Sequence, residues 1–238
     1  MKPLSELNVK IFADGADKAS MLELYRNPLI KGFTTNPTLM RKAGVTDYES
    51  FARDVLRTIT DRPISFEVFS DEFDEMERQA RRMALWGENV YVKVPITNTR
   101  GESSLELVRA LACSGVKVNV TALMTLDQVR AAREALAGGP PAFVSLFAGR
   151  VADTGRDPVP HMAAAVDALK MHRNMELIWS SPREVLNILQ ADSIGCHIIT
   201  VTGDLLKKLD LVGKDLAEFS LDTVKMFRDD ALKAGFNL

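Results

Sequence analysis

Val90-Tyr91-Val92-Lys93-Val94-Pro95 is a short apolar run with a lysine at its centre. Three valines and a tyrosine in six residues favour extended chain, and the lack of strict polar alternation marks a strand covered on both faces. Seven similar runs recur: Val9–Asp14, Gly32–Asn36, Ile64–Phe69, Val116–Ala122, Ala142–Gly149, Met175–Ser180 and His197–Thr202. Between them lie amphipathic stretches of helical length. One of these, with Ser70 as its N-cap, places Phe73, Met76, Ala80 and Met83 on a single face. Eight strand–helix units in 238 residues predict a single closed (β/α)8 TIM barrel of the α/β class, one domain spanning 1–238. A doubly wound open sheet is the structural alternative, but it usually carries a Gly-rich phosphate turn, and neither GxGxxG nor a P-loop occurs. An extra C-terminal helix, Ser220 to Ala234, has Leu221, Val224, Phe227, Ala231 and Ala234 at helical spacing. It would either lie as a lid on its own barrel or dock on a neighbouring subunit.

Composition narrows the function classes. Hydrophobic residues make up 46% and charged residues 26%, ordinary for a soluble globular chain. Thirty Lys and Arg against 32 Asp and Glu give a net charge of −2, with no basic stripe interleaved with aromatics, so no nucleic acid is expected as partner. Two cysteines, Cys113 and Cys196, are too few to staple so large a domain and fit a reducing compartment. No signal-peptide h-region and no apolar run of membrane-spanning length appears, so a cytoplasmic chain with no membrane partner is expected.

Chemistry in such a barrel sits at the C-terminal ends of the strands, and nearly every run ends on a polar residue. These are Asp14, Asn36, Glu67, Lys93, the pair Asn119 and Thr121, Ser145 with Arg150 beyond it, and Ser181 with Arg183. Convergence of seven strand ends on one mouth predicts a site. Val92 and Val94 flank Lys93 on the opposite face, so the lysine projects into the barrel. Burial strips a lysine of hydration and favours the neutral amine, the nucleophile of Schiff-base chemistry. The structural alternative is an ion pair with Glu67 or Asp14. Imine formation needs an acid and carbon–carbon cleavage a base, jobs two carboxylates in different environments can divide. Arg150 and Arg183 could clamp a phosphate, or pair at the rim with Asp153 or Glu184. Asn36 suits substrate hydroxyls or simply caps the helix after Pro37. His161 and His172 read as surface or packing residues of the sixth helix. His197 beside Cys196 lacks further ligands at metal-binding spacing, so no metal is expected.

At Phe12-Ala13-Asp14, Thr34-Thr35-Asn36-Pro37-Thr38, Tyr91-Val92-Lys93-Val94-Pro95, Asn119-Val120-Thr121, Ser145-Leu146-Phe147-Ala148-Gly149-Arg150 and Ser181-Pro182-Arg183, the sequence resembles the transaldolase family, most closely its short bacterial type. The resemblance runs from about Val9 to the C-terminus. It implies that Lys93 forms an imine with a ketose phosphate and that Asp14 takes the C4 hydroxyl proton, breaking the C3–C4 bond. It assigns Glu67 and Thr121 a water relay that forms and hydrolyses the imine. Asn36, Asn119 and Ser145 would hold the sugar or its three-carbon fragment; Arg150, Ser181 and Arg183 would bind phosphate. The dihydroxyacetone unit then waits as an enamine for an aldose phosphate, with no cofactor. Sugar phosphates are the implied partners, in metabolism of the pentose phosphate kind, and the family's short members suggest a homo-oligomer. A relative within the superfamily, fructose-6-phosphate aldolase, releases dihydroxyacetone instead and carries Gln and Tyr where this chain has Glu67 and Phe147; both residues favour transfer. Pro182 and Gly203 depart from the family pattern and leave open an unusual acceptor in sugar biosynthesis. A non-catalytic barrel is the third reading, opposed by the intact Asp14, Glu67, Lys93 and Thr121.

Overall fold

Branched and aromatic residues fill the eight extended runs, and each becomes a strand in a computed structural model that describes residues 3–237. The strands are β1 (Lys10–Asp14), β2 (Ile30–Thr34), β3 (Ile64–Glu67), β4 (Val90–Pro95), β5 (Val118–Leu123), β6 (Ala142–Leu146), β7 (Met175–Trp179) and β8 (Ile198–Thr202). All pair in parallel, in chain order, and β8 returns to β1, so the sheet closes into the expected (β/α)8 barrel. Outward side chains such as Val92, Val94, Val118, Val120 and Val144 join the helices in one large apolar cluster. Inward, Phe12, Phe143, Ile178 and Ile198 form a separate plug against Tyr91. Tyr91 stacks on Phe143 at 3.9 Å between ring centroids. Gly32 faces this plug because a Cβ there would come within 2.5 Å of the Phe12 ring. The plug fills the barrel below the polar strand ends.

Several boundaries differ from expectation. The second run becomes strand two residues early and ends at Thr34, because Asn36 turns its side chain onto Leu39 N and caps the helix Pro37–Lys42. The third and sixth strands stop at Glu67 and Leu146, the latter because Phe147 already begins the helix Ala148–Asp153. Ser70 is not the N-cap of the next helix, which spans Phe73–Ala84 after Glu72. Its approach is held instead by Gln79, whose Oε1 accepts from Phe69 N (2.9 Å) and Ser70 N (3.3 Å). The predicted face survives, with Met76, Ala80 and Met83 buried and Phe73 packed partly against the core.

The last helix spans Leu216–Ala234, starting four residues before Ser220. Asp215 decides this: its carboxylate accepts from Ala217 N (2.8 Å) and Glu218 N (3.0 Å), satisfying two orphan donors of the first turn. The lid reading is overturned, since no described residue of this helix is buried and Phe227 is 64% exposed.

Candidate functional site

Parallel register carries the strand-end residues into one constellation. Glu67 stands opposite Lys93, and Lys93 opposite Asn119; Asp14 stands opposite Thr34 on one side and Thr202 on the other. Hydrogen bonds among buried polar side chains run through this constellation. Ser145 Oγ donates to Asn119 Oδ1 (2.7 Å), Asn119 Nδ2 donates to Ser65 Oγ (3.0 Å), and Thr34 Oγ1 contacts Thr200 Oγ1. Asn119, Ser145, Ser65, Thr34 and Thr200 are all buried, so a network of this kind fixes rotamers that an apolar pocket would leave free.

Lys93 is 6% exposed. Its Nζ donates to Thr35 O at 3.0 Å and lies 3.2 Å from Glu67 Oε2. The ion-pair alternative is therefore real as geometry, and it places an acid–base partner on the same amine. Glu67 itself is held by Tyr48, whose hydroxyl accepts from Glu67 N (2.9 Å) and donates to Glu67 O (3.0 Å). Burial pushes the Tyr48 hydroxyl well above its ordinary pKa, so it serves as a neutral clamp. Thr121 is 1% exposed, and its Oγ1 has no hydrogen-bond partner. A hydroxyl so placed costs about 1–3 kcal/mol unless a water or ligand completes it. The residue after it, Ala122, has φ +63°, a left-handed conformation that costs a non-glycine residue about 1–2 kcal/mol. An orphan hydroxyl and a left-handed residue thus stand side by side on β5.

Asp14 accepts from Thr34 Oγ1 at 2.8 Å. Burial pushes its pKa above the ordinary carboxylate value, while the Lys93 charge and the Thr34 hydroxyl pull it back. A raised folded-state pKa means the fold binds the proton more tightly than the unfolded chain. That stabilisation is present at acid pH and is lost as pH rises through the folded value. Asp14→Asn is accordingly expected to melt higher than wild type at pH 8, with the gap closing as pH falls toward 4, followed by thermal unfolding at each pH. A variant that melts lower at pH 8 contradicts burial as the dominant influence.

The arginine end is organised by close backbone approach. A Cβ on Gly149 would lie 1.5 Å from Ser181 O, so only glycine lets the helix Ala148–Asp153 touch the turn after β7. Ser181 adopts φ +60° there. Arg183 donates Nε to Asp153 Oδ1 (2.8 Å), Nη2 to Asp153 Oδ2, and Nη1 to Ser181 Oγ (3.0 Å). The rim-pair alternative thus holds for Arg183 through Asp153. Arg150 makes no such fork: its guanidinium sits 5.8 Å from the Phe147 ring centroid, and its charge is a lesser influence lowering the Asp153 pKa.

Other candidates fall away from the mouth. His161 Nε2 bonds Met124 O at 3.0 Å, and His172 follows the helix Pro158–Leu169 instead of lying within it. His197 Nδ1 accepts from Leu177 N (3.1 Å), and burial lowers its pKa. Both thiols are free, with Cys196 buried and pushed up to about 12. Among the described residues no group of three or more His, Cys, Asp or Glu could hold a metal ion, and no helix is long and apolar enough to cross a membrane. Reading of the sequence missed Tyr48, Ser65, Thr34, Thr200 and Gly149 as supports of the site. Thr34 and Ser65 carried a usable signal, since each shares the inward face of its strand.

Fold and site together define an α/β barrel with a buried lysine and two carboxylates at the C-terminal ends of its strands. Residues 11–238 match the family model described as transaldolase/fructose-6-phosphate aldolase. A "Probable transaldolase" of Dehalococcoides mccartyi is 33% identical over 218 residues, covering 90% of this chain and 97% of that one. Another of that name from a Thermoanaerobacter species is 32% identical, covering 97% of this chain and 100% of that one. The chain belongs to the transaldolase/fructose-6-phosphate aldolase family. Among solved structures, 3-hexulose-6-phosphate synthase from Salmonella typhimurium superposes with a TM-score of 0.56 at 14% identity, covering 82% of this chain and 89% of that one, a likeness of fold alone.

Proposed function

We propose that this chain is a transaldolase, moving a dihydroxyacetone unit from a ketose phosphate to an aldose phosphate through a Schiff base on Lys93. The carrying observation is the placement of Lys93 Nζ 3.2 Å from Glu67 Oε2, with the buried, unpartnered Thr121 hydroxyl on the inward face of the next strand. Proton transfer from the ammonium to Glu67 frees the amine to attack the ketose carbonyl. Glu67 returns the proton to the departing hydroxyl, with Thr121 holding the water. Asp14 takes the C4 hydroxyl proton; the C3–C4 bond breaks, an aldehyde leaves, and the electron pair enters the iminium to give an enamine. Asn119 and Ser145, tied to each other by a hydrogen bond, present groups to the fragment. Asn36 keeps its amide Nδ2 for a sugar hydroxyl while its Oδ1 caps a helix.

Glu67 and Phe147 favour transfer over release. A phenyl ring offers no proton to the enamine, so the fragment waits for an aldehyde. With fructose 6-phosphate as donor, aldehyde formation is expected to rise about tenfold or more when erythrose 4-phosphate is added. Equal rates with and without acceptor, in a coupled assay, would make the chain an aldolase.

We also propose that one barrel domain, 1–238, works as a cytoplasmic homo-oligomer. The exposed apolar residues of the helix Leu216–Ala234, among them Phe219, Val224 and Phe227, support docking on a second copy. Light scattering is expected to give a multiple of 26.3 kDa, with Phe227→Asp lowering the mass. A wild-type monomer contradicts this.

A further inference from the structure

We propose that Tyr48 is a positioning residue for the imine chemistry: its hydroxyl stands in for the strand partner that Glu67 lacks, and so holds the Glu67 carboxylate at Lys93. This rests on the reading of Lys93 and Glu67 as the imine-forming pair and names what keeps that pair in register.

The need for such a group lies in the β2–β3 ladder. β2 pairs with β3 only at Phe33 with Ile64 and at Thr34 with Ser65. Along this edge Phe33 N donates to Pro63 O (2.8 Å) and Thr35 N donates to Ser65 O (3.0 Å). A parallel ladder carried one step further would take Glu67 N to Thr35 O, and the N–H of residue 37 to Glu67 O. Among the described residues neither rung forms. Pro37 has no N–H to give, and Thr35 O accepts from Lys93 Nζ at 3.0 Å instead. Glu67, the last residue of β3, would be left with two unpaired backbone groups between buried Phe66 and Val68.

Tyr48 fills both places with one atom. Its hydroxyl accepts from Glu67 N at 2.9 Å and donates to Glu67 O at 3.0 Å. Donation needs the phenolic proton, which burial keeps in place by raising the pKa. With Glu67 N engaged there, the Thr35 carbonyl remains for Lys93, so one side chain serves both members of the pair. The position of Tyr48 is itself fixed. Asp47 Oδ1 accepts from Ser50 N (2.9 Å) and starts the helix Tyr48–Leu56 at Tyr48. The ring packs among Phe66, Trp86 and Phe69, with centroids 6.3, 6.1 and 5.6 Å away. A phenylalanine would keep this packing and lose both hydrogen bonds.

The carboxylate carried by this backbone lies 3.2 Å from Lys93 Nζ. Misplacing a reacting group by about 1 Å can cost about 10²-fold in rate. Tyr48→Phe, shown to be folded by its melting curve, is therefore expected to lower kcat by about 10²-fold with KM changed by less than about threefold. On a Glu67→Gln background the same substitution is expected to change kcat by less than about threefold, because the carboxylate it positions is gone. Hydrogen exchange read by mass spectrometry gives a second arm: the Glu67 amide is expected to exchange about tenfold faster or more in Tyr48→Phe. Wild-type kcat or wild-type exchange in Tyr48→Phe overturns the proposal. An equal loss of kcat in the two backgrounds also overturns it, since Tyr48 would then support the fold alone. Failure of the proposed reaction looks different. A wild-type protein inactive on ketose phosphates sinks the transaldolase reading, and the exchange arm still decides whether Tyr48 holds Glu67.

Discussion

Lys93→Met is expected to lower turnover of a ketose phosphate by about 10⁵-fold, the lower end of the effective molarity of a well-oriented intramolecular group. Methionine keeps most of the apolar stem and lets the barrel pack, but it has no amine. Neither Arg150 nor Arg183 offers an amine in its place. A guanidinium does not add to a carbonyl. Lys93 also bonds Thr35 O and pairs with Glu67, so the substitution has a structural cost. Circular dichroism and a melting curve separate the two effects. A folded variant with less than about 10⁻⁴ of wild-type turnover supports the nucleophile. A folded variant keeping more than about a hundredth of the activity reduces Lys93 to an ion-pair partner.

Gly149→Ala carries the second large effect, with no polar atom changed. The new Cβ would lie 1.5 Å from Ser181 O, and both partners are backbone, so no side chain can swing aside. The turn bearing Ser181 and the helix bearing Arg150 must separate by more than an ångström. Overpacking of this kind costs about 1–3 kcal/mol of stability. Displacing groups by about 1 Å at a site can cost about 10²-fold in rate. The expected result is a folded, lower-melting protein with both kcat and phosphate preference reduced, read from thermal unfolding and steady-state kinetics. Wild-type stability and kinetics in this variant would show that the approach of Ser181 to Gly149 is not needed.

The barrel was legible because its strands are covered on both faces and its helices recur between them. Boundaries were less so, because the residues that set them act at a distance. Gln79 holds the backbone at Phe69 and Ser70 from within the following helix, and Asp215 caps a helix whose apolar pattern begins later. The core of the candidate site was legible for a geometric reason. A period of two sets Glu67, Lys93, Asn119 and Thr121 inward, and parallel register then aligns Glu67, Lys93 and Asn119. What the sequence concealed depends on tertiary approach. Tyr48 reaches Glu67 from a helix 19 residues earlier, Asp153 claims Arg183 across 30 residues, and Gly149 matters only because Ser181 lies against it. The lid reading failed because an apolar helical face does not reveal which surface covers it.

Borohydride trapping with fructose 6-phosphate, followed by peptide mass mapping, tests the central claim most directly. Reduction of the imine or of its cleaved fragment should leave a six-carbon or three-carbon adduct on the peptide containing Lys93, and none on Lys93→Met. Unmodified protein, or an adduct confined to another lysine, would contradict it.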